Sequence, residues 1–165
     1  NVACGSSNLN RQTIVAFSND MDKLMATFII ANGALSMGRD VSIFFTFWGL
    51  SALRKENFNQ KTNKSLLDKM FSMMLPKGPK KTGISKMNMG GLGAKMMRYT
   101  MKSKNVETLD NLMKQYIENG GKIIACTMSM DVMGISKEEL IEGIEYGGVA
   151  TYIGDSQEAY SNLFI

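Results

Sequence analysis

Apolar residues follow two different rhythms along this chain, and the alternation of the two predicts an α/β protein. Residues 12–17 (QTIVAF) and 41–47 (VSIFFTF) are short β-branched and apolar runs of strand length. Between them, residues 22–37 carry apolar side chains at spacings of three and four, which predicts an amphipathic helix that ends at Gly38. A strand, a helix and a second strand in this order form a βαβ unit, whose strands are parallel.

The second half of the chain repeats this alternation. Residues 109–117 have the spacing of a second amphipathic helix, and a Gly-Gly pair separates it from residues 122–125 (KIIA), which predict a buried strand. Ser136 and Glu139 match the capping box S-x-x-E and predict the start of another helix.

A further strand is predicted over residues 149–153 (VATYI), followed by a short helix capped near Asp155 or Ser156. The chain therefore predicts at least four parallel strands with helices on both faces of the sheet.

An insertion over about residues 51–105 interrupts this pattern. A helix is predicted over residues 66–75, and Pro76 and Pro79 mark its end. Residues 69–104 hold eight lysines, one arginine and no acidic residue, a local charge of +9 in a chain of net charge +4. The insertion also holds eight of the fifteen methionines.

Such a segment suits an adaptable surface for a protein partner, an anionic ligand or a peripheral membrane contact. The other interpretation is that the methionines fill the core and the lysines form a solvated face.

The composition places these elements in one globular domain. The chain has 165 residues, of which 44% are hydrophobic and 21% charged, and it has no apolar run long enough to span a membrane. We expect residues 1–11 to form a flexible arm, with Cys4 as a bystander, and residues 12–165 to form a single domain. Two cysteines far apart in sequence fit a reducing compartment, so we expect a cytoplasmic protein.

The chain contains no histidine, and this absence removes several classes of site. Ser-His-Asp triads, Cys-His hydrolases and imidazole zinc sites are excluded, and two distant cysteines exclude a four-cysteine zinc or iron–sulfur site within one chain. Methionine clusters can bind copper(I), but such sites usually recruit thiolates too. We therefore expect no metal and no cofactor.

Cys126 follows the strand predicted over residues 122–125, where an open α/β sheet places its chemistry. Backbone N–H groups and a helix dipole near the strand end favour the thiolate, which is the reactive form of cysteine. We expect this sulfur to be charged and reachable from solvent at the rim of the sheet. The other interpretation is that Cys126 packs as a small buried hydrophobe.

Two further features of the insertion carry weak signals. Residues 89–95 (MGGLGAK) place glycines beside a lysine, but the spacing fails G-x-x-x-x-G-K-[ST] and no strand precedes it, so we expect a hinge or a helix start. The basic charge alone would suit nucleic acid. Only Phe71 and Tyr99 offer stacking faces there, and no RNA or DNA motif is present, so we do not expect nucleic acid binding.

Residues 123–135 (IIACTMSMDVMGI) resemble the DsrE/DsrF/DsrH-like family, in particular its peroxiredoxin-family or sulfurtransferase branch. The pattern Cys-x-Met-Ser-Met-Asp-x-Met-Gly carries the resemblance, which extends to Phe47-Trp48-Gly49, the basic insertion and residues 146–150 (YGGVA). The resemblance covers nearly the whole chain. It implies a flavodoxin-like three-layer α/β/α domain, assembly into trimers or hexamers, and a cysteine that carries sulfur as a persulfide. Cys126 matches that cysteine, whereas Cys4 has no counterpart.

What the resemblance implies is a sulfur carrier or sulfurtransferase that needs no imidazole base, because the Cys126 thiolate is itself the nucleophile. Thr127 and Ser129 are then expected to hydrogen-bond the bound sulfur, and Asp131 to restrain the loop or oppose the thiolate. The expected substrate-binding residues are Thr127, Ser129, Asp131, Trp48 and Gly49. The partners would be sulfur donor and acceptor proteins, including a small acidic carrier attracted to the basic insertion.

Two alternatives from other classes stay open. The protein could be a non-catalytic interaction or membrane-adaptor subunit, with Cys126 buried and the basic insertion making the contacts. A peroxidase is the weaker alternative, because no threonine- and arginine-supported peroxidatic motif and no resolving cysteine are recognisable within the domain.

Overall fold

A computed structural model describes residues 10–56, 77–86 and 88–165 of the chain. In this part of the chain, five strands form one sheet in the order β4-β3-β2-β1-β5, and all neighbouring strands are parallel. The strands are β1 (Arg11–Ala16), β2 (Asp40–Phe45), β3 (Lys122–Cys126), β4 (Glu145–Gly147) and β5 (Ala159–Phe164). The α-helices are α1 (Met21–Ser36), α2 (Leu92–Ser103), α3 (Leu109–Glu118), α4 (Thr127–Val132) and α5 (Val149–Gln157). Short 3₁₀ helices span Phe47–Leu53, Pro79–Lys81, Met89–Gly91 and Lys137–Glu139.

The strand order explains how the layers are divided. From β1 to β4 the chain steps across the sheet in one direction, and it then returns to place β5 beside β1. Because such crossovers are right-handed, the helices between the first four strands lie on one face, which we call the main face. The return connection places α5 on the opposite face, the second face. The predicted flavodoxin-like three-layer α/β/α fold is confirmed, with unequal layers.

The larger core lies on the main face, between the sheet and the layer of α1 and α3. Ile14, Ile43 and Ile123 are in register on adjacent strands and are almost completely buried. Phe28 of α1 and Tyr116 of α3 pack over them, with their ring centres 5.7 Å apart and their ring planes at 67°. The amphipathic helices predicted on either side of the insertion are therefore present, because each buries one apolar stripe on this face.

Tyr116 also fixes how α3 meets the sheet. Its buried hydroxyl lies 2.8 Å from the carbonyl oxygen of Val41 and 2.9 Å from that of Lys122. A Cβ at Gly121 would lie 2.3 Å from the ring, so the Gly-Gly pair before β3 also makes room for this side chain. Burial raises the pKa of the Tyr116 phenol far above its ordinary value, although the hydrogen bond at Lys122 opposes the shift.

The smaller core lies on the second face. Val15, Phe44, Ile124 and Cys126 form a buried cluster there, and Tyr152 of α5 packs against it. The Tyr152 and Phe44 rings are 5.5 Å apart. None of the nine residues of α5 is itself buried, so the second face is covered far more thinly than the main face.

The prediction for the last two elements is wrong. Residues 149–153 belong to the helix α5, and the segment that follows Asp155 and Ser156 forms the strand β5. The position beside β1 is occupied by β5, which leaves the β-branched run to lie across the second face as a helix. Tertiary pairing here overrides strand propensity. As an edge strand, β5 buries none of its residues, and its sequence therefore carries only a weak apolar signal.

Two element ends also differ from prediction. β2 stops at Phe45, because the chain turns at Phe47, whose φ of 46° is incompatible with a strand, and enters a 3₁₀ helix. The capping box of Ser136 and Glu139 is present, but it begins a 3₁₀ helix of three residues rather than an α-helix. The helix that leaves β3 begins earlier, at Thr127.

The described part of the insertion packs only lightly on the domain. In α2 only Ala94 and Met101 are buried, and Met96 is mostly exposed. Met89, in the 3₁₀ helix before α2, is also mostly exposed. The described methionines of this segment are thus mainly surface residues and only Met101 is core filler. Residues 89–95 contain a helix start, as predicted, since α2 begins at Leu92. The helix predicted over residues 66–75 lies outside the described residues.

No helix among residues 10–56, 77–86 and 88–165 has the length and apolar character needed to cross a membrane.

Candidate functional site

Cys126 lies at the carboxyl end of β3, as the sequence predicts, and is also the N-cap residue of α4. The strand passes into the helix without a loop, because Cys126 keeps an extended backbone and Thr127 already belongs to the helix. The expected loop at Asp131 is therefore absent, because this residue belongs to a helix that begins at Thr127, before the helix start predicted at Ser136. On β4, Gly147 pairs with Cys126. The cysteine thus sits where the chemistry of open α/β sheets is normally found.

The expectation that this sulfur is reachable is not met in the structure. Cys126 is a free cysteine and only 3% exposed, within the cluster of Val15, Phe44 and Ile124 on the second face. Its side chain makes no capping hydrogen bond to α4. Strand periodicity is the reason for the burial: Ile124 and Cys126 are two positions apart and therefore point to the same face of the sheet, the one that α5 covers.

Ser129 and Thr127 occupy the first turn of α4, directly after the cysteine. Ser129 is completely buried, and its Oγ lies 2.8 Å from Oγ1 of Thr46, the residue that follows β2. The Thr127 hydroxyl donates a long hydrogen bond, 3.5 Å, to the carbonyl oxygen of Gly147. These contacts join the carboxyl ends of β2, β3 and β4 around Cys126.

The other three predicted site residues are Asp131, Trp48 and Gly49. The first two are exposed to solvent, and Gly49 is buried. Asp131 is exposed on α4, and Trp48 is 49% exposed. With Phe17 and Lys23, Trp48 lines a depression of about 360 Å³ over the end of β1, two strands away from β3. Gly49 is buried, and a Cβ at this position would lie 2.2 Å from the Ala16 carbonyl oxygen. The structure therefore gives Gly49 a close backbone contact with β1.

Thr46 and Tyr152 contact the Cys126 region but are not among the predicted site residues. Thr46 could have been found, because it is the polar residue that directly follows the apolar strand β2, and polar residues after parallel strands gather at one edge of the sheet. Tyr152 could not, because its position depends on α5 being a helix on the second face.

Tyr146 lies beside the site on β4, one residue before Gly147. The Lys137 ammonium stands 4.8 Å from the centre of its ring. Partial burial, together with the carboxylate of Glu138, raises the pKa of the Tyr146 phenol. This tyrosine is therefore neutral at physiological pH and can donate a hydrogen bond.

A larger cavity, about 780 Å³, lies on the main face away from Cys126. It is formed where α2 passes over the first residues of α3, and its charged lining is mixed: Lys80, Arg98, Lys102, Glu107 and Asp110. No group of three His, Cys, Asp or Glu side chains within the described ranges is arranged to hold a metal ion.

The sequence matches the model of the DsrE/DsrF/DrsH-like family over residues 8–164. This match covers nearly the whole chain. The chain belongs to the DsrE/DsrF/DrsH-like family. Cys126, at the end of the third parallel strand, lies within the matched residues.

Two relatives align over almost their full length. The uncharacterized protein YrkE of Bacillus subtilis is 50% identical over 155 residues, which cover 94% of this chain and 96% of that protein. The sulfur carrier protein DsrE2 of Allochromatium vinosum is 32% identical over 152 residues, which cover 92% of this chain and 96% of that protein.

Two solved structures share the fold at low identity. The ychN protein of E. coli has a TM-score of 0.55 at 13% identity and covers 94% of this chain and 99% of its own. The protein MTH1491 of Methanobacterium thermoautotrophicum has a TM-score of 0.53 at 11% identity, with coverages of 94% and 98%. These two comparisons support the three-layer DsrE-like architecture.

Proposed function

We propose that this DsrE-like protein is a sulfur carrier, in which Cys126 holds sulfane sulfur as a persulfide and passes it between partner thiols. The observation that carries the proposal is the 32% identity, over nearly the full chain, with a protein named as a sulfur carrier. The position of Cys126 at the carboxyl end of β3, before the first turn of a helix, supports it.

The transfer needs no external oxidant or reductant. The Cys126 thiolate attacks the outer sulfur of a donor persulfide, a new S–S bond forms on Cys126, and the donor S–S bond breaks. The bonding electron pair leaves with the donor thiolate, which takes up the proton that the Cys126 thiol gave to solvent. An acceptor thiolate then attacks the outer sulfur of Cys126–S–SH, and Cys126 leaves as thiolate.

The remaining predicted residues have supporting roles in this proposal. Thr127 and Ser129 provide hydroxyls in the first turn of α4, and Ser129 is held there by Thr46. Asp131, which is exposed on the same helix, opposes the thiolate or restrains the turn. Trp48 and Gly49 belong to the 3₁₀ helix that follows β2, and we propose that they shape the approach of the partner at the same sheet edge.

We propose that the partners are sulfur donor and acceptor proteins, and that an acidic carrier docks on the basic insertion. The basic part of the insertion is residues 69–104, of which the described residues carry Lys77, Lys80, Lys81, Lys86, Lys95, Arg98, Lys102 and Lys104. Charge complementarity of this kind raises the association rate and weakens with added salt. The expected cytoplasmic location belongs to the same proposal and depends on the cysteine usage.

A homo-oligomer, as a trimer or hexamer, is the assembly we propose. Tyr160 and Phe164 of the edge strand β5 are 69% and 72% exposed, and large apolar side chains at a sheet edge suit a subunit contact. Sedimentation equilibrium of the wild type and of Phe164→Ser would test this: a wild type that is monomeric throughout would contradict it.

Intact-mass spectrometry tests the sulfur carrier directly. After incubation with a persulfide donor, the protein should gain the mass of one sulfur atom, and a reductant should remove it. Cys126→Ala should abolish the gain, whereas Cys4→Ala should retain it. A gain that survives Cys126→Ala and disappears with Cys4→Ala would contradict the assignment.

A second candidate is a non-catalytic adaptor, and the burial of Cys126 favours it. In that case the cysteine is core packing and the basic insertion makes the functional contacts. A folded protein whose Cys126 reacts with thiol reagents only after global unfolding would support the adaptor. A folded protein that takes up sulfur on Cys126 would exclude it.

A further inference from the structure

The helix α5 closes the second face over Cys126 while burying little of its own surface. Val149 is 67% exposed and Ile153 is 46% exposed, and Tyr152 is the residue of the helix that packs on the Cys126 cluster. Segments with few buried apolar contacts open locally at a smaller free-energy cost than the rest of a domain. The element that shields the thiol is thus weakly attached by packing.

Ion pairs provide a second attachment, at the far end of α5. The Asp155 carboxylate, 12% exposed, lies 3.0 Å from Nη1 of Arg11 and 3.5 Å from Nζ of Lys122. Arg11 begins β1 and Lys122 begins β3, so both cations belong to the sheet. Lys122 also contacts Glu145 at 3.2 Å, and Arg11 contacts Glu158 at 3.2 Å.

Asp155 lies close to the carboxyl end of α5. It lies in the last turn of α5, where the partial negative charge of the helix terminus disfavours a carboxylate. Asp155 therefore does not stabilise the helix by its charge. Its stabilising contribution comes from the contacts with Arg11 and Lys122, which hold the helix on the sheet.

A glycine pair joins the other end of α5 to the strand beside the cysteine. Gly147 pairs with Cys126, and Gly148 is the N-cap residue of α5. Beyond its two chain neighbours, no atom lies within 4 Å of the Cβ position at Gly148, so this residue is not restrained by side-chain packing. Gly147 is packed more closely, since a Cβ there would lie 2.7 Å from Oγ1 of Thr151, and the free joint is therefore Gly148. Glycine also has the widest choice of backbone conformations, which suits a joint that moves.

We propose that α5 is a movable cover over Cys126, which the ion pairs of Asp155 with Arg11 and Lys122 hold closed. Release of these pairs lets the helix leave the second face and exposes the thiol. The biological purpose of the cover rests on the proposed sulfur carrier function, but the opening itself is a property of the fold. A partner protein that competes for Arg11 or Lys122 would open the cover as it docks.

The rate of alkylation of Cys126 by N-ethylmaleimide, followed by intact mass in a Cys4→Ala background, measures the opening. Asp155→Asn should react roughly tenfold faster, which corresponds to about 1.4 kcal/mol of lost closing free energy. Raising NaCl from about 0.05 M to about 0.5 M should increase the alkylation rate of the parent protein, because salt screens the ion pairs. The alkylation rate of Asp155→Asn should stay nearly unchanged.

Glu158→Gln is the matched control, since it removes an exposed carboxylate that also contacts Arg11. It should change the rate less than twofold. Labelling at low urea concentrations separates local from global opening. A rate that depends on urea much less steeply than global unfolding does indicates a local cover.

Equal rates for Asp155→Asn and Glu158→Gln, or a urea dependence as steep as that of global unfolding, would overturn the proposal. The salt series on the parent protein needs no further variant, so the test stands even where Asp155→Asn fails to fold. Alkylation does not require sulfur transfer. If Cys126 is alkylated through local opening but never accepts sulfur, the proposed function is wrong and the proposal of a movable cover still holds.

Discussion

Arg54 and Glu139 form an ion pair that is almost completely buried, with 2.8 Å between Nη2 and Oε2 and side chains 2% and 1% exposed. Two backbone hydrogen bonds flank the pair, from Lys55 N–H to the Glu139 carbonyl and from Ile141 N–H to the Leu53 carbonyl. The segment that follows β2 is therefore joined to the segment that follows α4. These two segments follow the carboxyl ends of β2 and β3 along the chain, so the pair joins the connections that leave these two strands.

Arg54→Met should lower the free energy of unfolding by about 3–5 kcal/mol, because it leaves the buried Glu139 carboxylate without this cation. Urea unfolding, followed by circular dichroism, measures the loss. The matched control is Lys55→Met, which breaks an ion pair with the 93% exposed Glu142 and should cost less than about 1 kcal/mol. Similar losses in the two variants would show that Arg54 contributes no more than a surface cation.

Tyr116→Phe should weaken the dependence of the free energy of unfolding on pH above about pH 10. Because burial raises the pKa of the folded-state phenol, the neutral form is favoured in the fold. The resulting stability is present below the unfolded pKa of about 10 and is lost as pH rises above it, at up to about 1.4 kcal/mol per pH unit. The variant should lack this additional slope and, from the missing hydrogen bonds, should lose about 1–2 kcal/mol at neutral pH.

The measurement is the free energy of unfolding of the wild type and of Tyr116→Phe, taken between pH 8 and pH 11. If the two proteins show the same pH dependence, the Tyr116 hydroxyl reaches water in the folded state and the prediction is wrong.

Local patterns predicted most of the sheet, because three of its strands are apolar runs bounded by glycine or cap residues. These runs contain Ile14, Ile43 and Ile123. The first and last residues of β1, β2 and β3 lie within two positions of the predicted ones. The end of the chain could not be predicted in the same way. β5 has a weak apolar pattern, and only its pairing with β1 makes it a strand.

For the candidate site, the sequence predicted the position of Cys126 but not its burial. Position depends on the strand before it, which is a local signal. Burial depends on α5, and the sequence of Tyr152 and its neighbours favours a strand over a helix when tertiary contacts are ignored. Interactions such as Thr46 with Ser129 join residues 83 positions apart, and no periodicity within one segment encodes them.

Asp22 should contribute to stability only while it is ionised. Partial burial opposes ionisation, but hydrogen bonds from the hydroxyl and N–H of Ser85 outweigh it and lower the pKa of the Asp22 carboxyl below its ordinary value of 3.8. This stability is present above the unfolded pKa and is lost as pH falls through the lower folded pKa. The destabilisation by Ser85→Ala should therefore be present at neutral pH and shrink below about pH 4. Ser103→Ala, an exposed serine with a local bond only, should show no such pH dependence.

The hydroxyl pair of Thr46 and Ser129 should couple the end of β2 to the first turn of α4. The two oxygens lie 2.8 Å apart, and Ser129 is completely buried. Thr46→Val and Ser129→Ala should each lower the free energy of unfolding by about 1 kcal/mol, and the double variant should lose less than their sum, with a coupling of about 0.5–1.5 kcal/mol. If Ser129 also hydrogen-bonds the carried sulfur, Ser129→Ala should shorten the lifetime of the Cys126 persulfide more than Thr46→Val does. Additive losses of stability would show that the two hydroxyls act independently, and equal persulfide lifetimes would restrict Ser129 to a structural role.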